Sequence, residues 1–326
     1  MNNIRIKKRN YIFFTACILS FVFTGLLIAQ ETGVRWQRRS ETTRYIQLFH
    51  SGKAFHLPTA ETLQKGDVQF ELEHRFTAPT SSGWAGAYGL DGTVIMRIGF
   101  DYAVTDRMLL SMARSNWEGN IELHSKYKIL EVGNNTLPLV MAIEAGLAYN
   151  GKPVAAVKNT GDKVQYFASA IFNTLYAKKL GLGLVPSYLY NSYIYCKDIQ
   201  YSFTFGGYLQ YYVSEVWSVL LEVNPTVTGW RNRYNSFAFG MEVETGGHFF
   251  KFLIGNNTRV NYSQFLAGAP DSFDSKDWHI GFNLTRLFKI LSSSDLIRCS
   301  YIYSYSRSIN SSAQFVLFVT VILYFS

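Results

Sequence analysis

The strongest constraint on the fold is an alternation of apolar and polar residues that recurs along most of the chain. From Asp67 the sequence reads DVQFELEHRF, with an apolar residue at nearly every second position. The same period returns in TVIMRIGFDY and NIELHSKYKI, which begin at residues 93 and 120. Successive side chains of a β-strand point to opposite faces, so a period of two predicts strands. The chain is therefore expected to be all-β.

The alternation predicts twelve strands between residues 67 and 288. The even-numbered connections between them are short and most odd-numbered ones are long, although the third, 116–119, is short. Tight turns at one end, long loops at the other and an even strand number are typical of outer-membrane barrels with both ends in the periplasm. The predicted strands are 68–77, 93–102, 107–115, 120–129, 138–148, 164–176, 180–190, 201–212, 217–225, 236–243, 249–256 and 277–288.

The nature of the two strand faces separates a membrane barrel from a soluble β-sandwich. Sandwich strands are typically about five or six residues long, whereas a tilted strand needs about 9–11 residues to cross a bilayer. In strand 201–212, Phe203 and Phe205 share one face, while Ser202, Thr204 and other small or polar residues take the opposite face. Small polar side chains suit a lumen. We therefore expect a membrane-spanning, antiparallel, up-and-down β-barrel of about twelve strands, with a soluble periplasmic β protein as an alternative.

Aromatic residues near the predicted strand ends agree with a membrane barrel, because amphipathic rings favour the level of the lipid headgroups. Overall composition excludes other classes. With 48% hydrophobic and 17% charged residues, the chain is too apolar to be disordered. Beyond the first thirty residues no apolar run is long enough for a multi-helix membrane protein. The expected girdle residues are Tyr102, Tyr127, Tyr149, Tyr166, Tyr176, Tyr190, Trp217 and Trp278.

Charged residues occupy the predicted inner face and form the candidate site. Ions in a low-dielectric interior are retained when they are paired. Two interpretations follow: a network of salt bridges that fills the barrel, or the solvated lining of a pore. Twelve strands make a narrower barrel than a 16–18-stranded porin, which favours a small or occluded channel. The expected lumen-lining residues are Glu71, Glu73, Arg75, Arg97, Lys126, Lys128, Glu222, Glu242 and Lys251, with Glu244 on the same face.

The segments outside the barrel have different expected roles. Residues 1–29 have the basic start, apolar run and small-residue end of a cleaved signal peptide for export to the outer membrane, with an uncleaved anchor as the alternative. Their removal takes away four basic and no acidic residues, so the formal charge falls from +8 to +4 and gives no support for nucleic-acid binding. Residues 289–326 form an atypical tail whose final apolar run could add a strand, lie at the interface or result from a frameshift, and the last is favoured.

Residues 30–66 are expected to be either a periplasmic lead-in or a partial plug of the barrel. Within them, HLPTAETLQKG is compatible with one or two helical turns, with Thr59 as the N-cap and Gly66 past the end.

Catalytic and metal chemistry has little support in the sequence. The six histidines do not pair at metal-ligand spacing, and no cofactor motif is present, so we expect neither a cofactor nor an enzyme. The alternative is a barrel hydrolase of the lipase or protease type, in which His124 or His279 would act with inward-facing polar neighbours. Those neighbours are Ser111, Glu122, Asn283 and Thr285.

Several motifs resemble a Gram-negative β-barrel family known only as a domain of unknown function. They are the HRF step at residues 74–76, the YGLDG loop, the TDR turn at 105–107, and the segments VWSVLLEVNP, GGHFFKFLIGNNT and HIGFNLTRLF. The resemblance covers about residues 47–288 and implies an exported outer-membrane barrel, without a known ligand, reaction or site residue. The terminal aromatic Phe288 also resembles the signal of the outer-membrane assembly machinery. Expected partners are therefore the lipid bilayer, that machinery and periplasmic proteins.

Overall fold

The computed structural model describes residues 46–133, 137–152, 163–196 and 198–288. Most of these residues belong to strands of one antiparallel sheet. In chain order the strands are β1 (Val68–Phe76), β2 (Val94–Thr105), β3 (Met108–Ser115), β4 (Asn120–Val132), β5 (Leu139–Asn150), β6 (Val164–Tyr176), β7 (Leu180–Tyr190), β8 (Tyr201–Tyr212), β9 (Trp217–Asn224), β10 (Thr226–Gly229), β11 (Ser236–Glu244), β12 (His248–Gly255) and β13 (His279–Phe288).

The sheet closes on itself because β1 pairs with both β2 and β13. The two short strands β9 and β10 follow each other along β8, so together they make one barrel strand, interrupted at Pro225. The closed barrel therefore has twelve antiparallel strands, which confirms the predicted fold class. The ninth predicted strand was too short, because proline lacks the backbone N–H of a ladder residue and a register shift separates Thr226 from Thr228.

Two other strands extend three residues beyond their predicted ends. β2 reaches Thr105 and β4 reaches Val132, whereas the alternation predicted ends at 102 and 129. Each strand has a register shift near its end, between Ala103 and Thr105 in β2 and between Lys128 and Leu130 in β4. An extra residue in a strand reverses the parity of the residues after it, so the pattern stops while the ladder continues.

The outward face carries apolar and aromatic side chains, and the inward face is buried. In β8, for example, Tyr201, Phe205 and Tyr211 are exposed, whereas Ser202 and Thr204 are fully buried. Tyr102, Tyr127, Tyr176 and Trp217 lie at the end with the short turns, while Tyr149, Tyr166, Tyr190 and Trp278 lie towards the end with the long loops.

Two segments fill the lumen, one from each end. The inner segment, residues 46–66, precedes β1 and enters from the end with the short turns; most of its residues between 48 and 62 are buried. The outer loop, residues 256–278, connects β12 to β13 at the other end and contains the helix α1 (Tyr262–Leu266), in which every residue is buried. No helix in the described ranges is long and apolar enough to span a membrane.

The helical turn predicted within residues 56–66 is wrong. The backbone there forms no helix, because its polar groups bond to distant partners. Thr59 does not cap a helix: its hydroxyl donates to the Ser51 carbonyl at 2.7 Å, and the Ala60 N–H donates to Asn173 Oδ1 at 2.6 Å. The predicted signal peptide (1–29) and tail (289–326) lie outside the described residues.

Candidate functional site: the filled lumen

All nine charged residues predicted to line the lumen are buried on the inner face of the barrel. Arg75 is 0% exposed and Arg97 is 2% exposed, and both are among the largest fully buried side chains of the described protein. Three of the nine, Lys126, Glu222 and Lys251, bind backbone atoms of the inner segment, and the others bind its side chains or residues of neighbouring strands. The wall therefore binds a chain that has no regular secondary structure of its own.

The densest ion cluster joins the inner segment to β1 and β2. Lys53 Nζ donates to Glu71 Oε2 at 3.1 Å and to Glu73 Oε1 at 2.8 Å. Arg97 bonds to the same two carboxylates and lies 2.9 Å from Glu73. Arg75 Nη2 lies 3.6 Å from Glu73. Three cations thus share two carboxylates, and Lys53, which sequence reasoning did not select, belongs to the inner segment.

Glu222 on β9 binds the tip of the inner segment. Its carboxylate accepts three consecutive backbone N–H groups, from Phe55 at 3.0 Å, His56 at 2.9 Å and Leu57 at 3.0 Å. It also lies 2.7 Å from Nδ1 of the His56 ring. Bonds to an ionised acceptor are stronger than neutral ones, so this carboxylate is the principal anchor of the tip.

The other side of the His56 ring faces Arg75. Arg75 Nε donates to His56 Nε2 at 3.2 Å, and Nη2 lies 3.0 Å from the same atom. Because a guanidinium only donates, His56 Nε2 must accept, which places the ring proton on Nδ1 towards Glu222. His56 lies outside the strands. Burial of the ring, and to a lesser extent the positive charge of Arg75, lower the pKa of His56 below its ordinary value. The docked segment therefore requires a neutral His56.

Lysines of the wall bind the carbonyl groups of the inner segment. Lys126 Nζ donates to the carbonyls of Gly52 and Thr59, both at 2.9 Å. Lys251 Nζ bonds to the carbonyls of Lys53 and Ala54 and lies 3.3 Å from Glu242 Oε2. Glu222 thus accepts from N–H groups of the inner segment, and Lys126 and Lys251 donate to its carbonyl groups.

The remaining predicted lumen residues, Glu242 and Lys128, form ion pairs near the point where the inner segment enters the lumen. Glu242 Oε1 lies 3.0 Å from His50 Nδ1, and Lys128 Nζ lies 2.9 Å from Glu131. Glu61, within the segment, accepts the backbone N–H groups of Leu48 and Phe49. Glu244, by contrast, lies at the β11–β12 turn, where it accepts from the backbone N–H of Gly247.

The opposite part of the lumen is apolar. Phe49 packs edge-on against Tyr208 of β8, with ring centroids 5.4 Å apart, and Leu57 packs over Gly206. The Tyr208 hydroxyl donates to the Pro58 carbonyl and accepts from Asn173. The wall side chains in this apolar cluster are Val140, Ala142, Phe167, Ile171, Leu175, Val185, Leu189, Tyr208, Tyr212, Leu220, Ala238 and Leu253.

The outer loop is anchored by the same kind of contact. Glu122 of β4 accepts the backbone N–H groups of Tyr262 at 3.0 Å and Ser263 at 2.6 Å, at the start of α1. The Tyr262 hydroxyl lies 2.9 Å from the hydroxyls of both Ser169 and Ser187. The loop and the inner segment then meet, because the Phe265 ring stacks on the His56 ring at 4.4 Å with an interplanar angle of 5°.

The residues considered for hydrolysis lie in separate places, and only Ser111 and His124 share a cavity. His279 pairs with Asp271 at 3.0 Å at the loop end of the barrel, whereas His124 lies 3.0 Å from Glu144 within the lumen. Ser111 is opposite His124 in register and lines the same cavity. That cavity has a volume of about 20 Å³, which is room for one or two water molecules. Glu122 binds the outer loop, while Asn283 donates to the Phe55 carbonyl and accepts from Arg75.

The contacts missed by sequence reasoning come mainly from the two filling segments. Lys53, His56 and Glu61 lie where no period marks a structural role. The wall partner Glu144 could have been found, because the alternation of β5 places it on the inner face.

The described part of the chain contains no cluster of three or more histidine, cysteine or acidic side chains suited to a metal ion.

The closed sheet, apolar exterior and charged interior define an outer-membrane-type β-barrel. The chain belongs to the family described as "Membrane bound beta barrel domain (DUF5777)", whose model matches residues 49–288. This confirms the resemblance to a barrel family of unknown function. No curated protein matches the sequence.

Three solved structures that match this chain are remote from it in sequence. The NanC porin is 11% identical, with a TM-score of 0.41 over 69% of this chain and 100% of that chain. The COG4313 outer membrane channel from Pseudomonas putida F1 is 12% identical, with a TM-score of 0.40 over 70% and 98%. LpxR from Salmonella typhimurium is 9% identical, with a TM-score of 0.33 over 69% and 100%. Likeness at this level does not extend to function.

Proposed function

We propose that this protein is a non-enzymatic solute channel of the bacterial outer membrane that is closed in the described conformation, with the inner segment as its plug. The observation that carries the proposal is the chemistry of the contact between plug and wall. On one side of the lumen, Glu222, Lys126 and Lys251 bind backbone groups of the plug, and its apolar packing is on the opposite side, around Tyr208. Water can replace each of these contacts when the plug leaves.

The energetics of buried charge support a lumen that opens. Burying ions costs several kcal/mol each, and replacing a buried ion pair by packed apolar residues is often neutral or stabilising. A permanently filled lumen would therefore be as stable with an apolar wall throughout, like the surface around Tyr208. Charges on the remaining wall suit a surface that is hydrated in a second, open state.

Conductance in planar bilayers tests the proposal. The refolded mature protein is compared with a variant lacking residues 30–66 and a second variant in which residues 258–268 are also replaced by a glycine-serine linker. We expect only brief openings from the intact protein and a steady current once both filling segments are gone. If the doubly shortened barrel is folded by circular dichroism and carries no current, the channel proposal is wrong and a structural role remains.

A reversible crosslink supplies the matched control. An ideal Cβ at Gly206 would lie 2.8 Å from a methyl carbon of Leu57, so cysteines at these positions can approach within disulfide distance. In a background where Cys196 and Cys299 are replaced by serine, Leu57→Cys with Gly206→Cys should abolish the openings when oxidised and restore them on reduction. Openings that persist in the oxidised protein would show that the plug does not control conduction.

Assembly through the outer-membrane machinery and contacts with periplasmic proteins belong to the same proposal. Phe288 ends β13 beside Val68 of β1, at the seam where the barrel closes. Pull-down with the assembly machinery from wild type and Phe288→Ala tests this element.

A further inference from the structure

The outward face of the barrel carries almost no charge. Of the outward-facing residues in the described strands, Arg114 and Arg286 are the only arginine, lysine, aspartate or glutamate side chains. Arg286 lies at the end with the short turns, and its guanidinium sits 5.0 Å from the centroid of the Phe288 ring. Arg114 lies at the opposite end, one residue before the end of β3. An arginine facing lipid is costly unless it has an anionic partner or reaches the interface.

Arg114 is at the level of the lipid headgroups. The strand register places Ile98, Arg114, Ile121 and Tyr149 side by side on β2, β3, β4 and β5. Tyr149 belongs to the aromatic girdle at the end with the long loops. Because the termini and tight turns of such barrels face the periplasm, this girdle marks the outer leaflet.

The surface around Arg114 is concave. A groove of about 510 Å³ runs over the outer ends of these four strands, beside the short connection 116–119. Gly119 and Gly151 line the groove without side chains and lie close to each other. A second cation, Lys152, lines the groove beside Gly119. Its other lining residues are Met96, Ile98, Asn116, Ile121 and Tyr149.

Neither cation of the groove is neutralised within the described protein. Among the described residues, the Arg114 and Lys152 side chains form neither an ion pair nor a hydrogen bond, and both are exposed. Arginine binds phosphate with two parallel hydrogen bonds, and lysine adds a point charge. The apolar residues below Arg114 provide a surface for acyl chains. The groove thus offers complementary groups to both parts of an anionic lipid.

We propose that Arg114 and Lys152 form a binding site for a phosphate-bearing glycolipid of the outer leaflet, with its acyl chains along Ile98 and Ile121. The proposal assumes the outer-membrane location but not conduction. A channel that fails to conduct would leave the lipid site intact, and a lipid site that fails would leave conduction untouched.

Native mass spectrometry of the refolded mature protein in detergent tests the site with bisphosphorylated lipid A and with the same lipid after removal of its phosphates. We expect the phosphorylated lipid to bind at least tenfold more tightly. Arg114→Gln should weaken its binding about tenfold and Lys152→Gln less, in line with the loss of charge-assisted hydrogen bonds. The matched control is Arg286→Gln, which removes the other outward arginine and should change binding less than twofold.

Three outcomes would overturn the proposal. Equal binding of the dephosphorylated lipid would show that the contact is only apolar. Unchanged binding by Arg114→Gln would place the lipid elsewhere. A dimer of the purified protein that dissociates in Arg114→Gln would assign the groove to a second copy of the chain. Because Arg114 points away from the lumen, its substitution leaves the plug contacts in place, and circular dichroism verifies the fold.

Discussion

Replacing Glu222 by glutamine should release the tip of the inner segment while the barrel stays closed. The carboxylate accepts N–H groups from Phe55, His56 and Leu57 and pairs with the His56 ring. Glutamine keeps one oxygen, but its amide group donates and faces these donors. Hydrogen bonds to a charged group are worth about 1.5–3 kcal/mol each, and breaking a buried pair costs about 3–5 kcal/mol.

The expected loss of docking free energy is about 3 kcal/mol, because part of the bonding survives through the remaining oxygen. A change of that size lowers the ratio of docked to released segment by about 100-fold. Hydrogen exchange measures this ratio as the protection of backbone amides against local opening. The amides of Phe55, His56 and Leu57 should therefore lose about 100-fold in protection in Glu222→Gln.

The amides of β8 and β9 provide the internal control, since they bond between strands and should keep their protection. The matched control variant is Glu215→Gln, which changes an exposed glutamate in the turn between these strands. Unchanged protection at residues 55–57 in Glu222→Gln, with the β8 and β9 amides intact, would refute the claim that this carboxylate holds the plug.

Three further predictions test other parts of the filled lumen. Because the pKa of His56 is lowered in the docked state, docking of the inner segment should weaken as the pH falls below about 6.5, by up to about tenfold for each pH unit. Hydrogen exchange corrected for intrinsic rates measures this dependence, and His56→Gln should abolish it. Glu122→Gln should free the outer loop and make the bond after Arg259 at least tenfold more sensitive to trypsin, since two N–H anchors of α1 are weakened. Gly183→Ala should destabilise the barrel by about 1–3 kcal/mol in urea unfolding, because the Tyr208 ring lies where the new methyl group would be, and Gly207→Ala, whose Cβ has ordinary contacts, is the control.

The barrel wall could be predicted from sequence because each strand separates two environments. Phe203 and Ser202, for instance, differ in polarity since one faces lipid and the other faces the lumen, and this contrast repeats every two residues. The prediction failed only where the parity itself changes, as at the bulge between Lys128 and Leu130, or where a strand resumes after Pro225. Local sequence therefore suffices to predict a strand and its two faces wherever successive residues alternate between lipid and lumen.

The path of the inner segment could not be predicted in this way. Its backbone groups are satisfied by side chains far away in sequence, such as Glu222 for His56 and Asn173 for Ala60. These bonds impose no period on residues 46–66. The helix expected near Thr59 failed for the same reason, since the wall offers partners that compete with helical hydrogen bonds.

The charges of the lumen unite the two interpretations that the sequence left open. A buried segment without secondary structure must find partners for its N–H and carbonyl groups. The acidic residue Glu222 and the basic residues Lys126 and Lys251 supply these partners, while Glu71, Glu73 and Arg97 also neutralise one another. The network therefore fills the barrel in the docked state. In the open state that we propose, the same side chains would lose their backbone partners and require water, so one set of residues would both hold the docked segment and line a hydrated lumen.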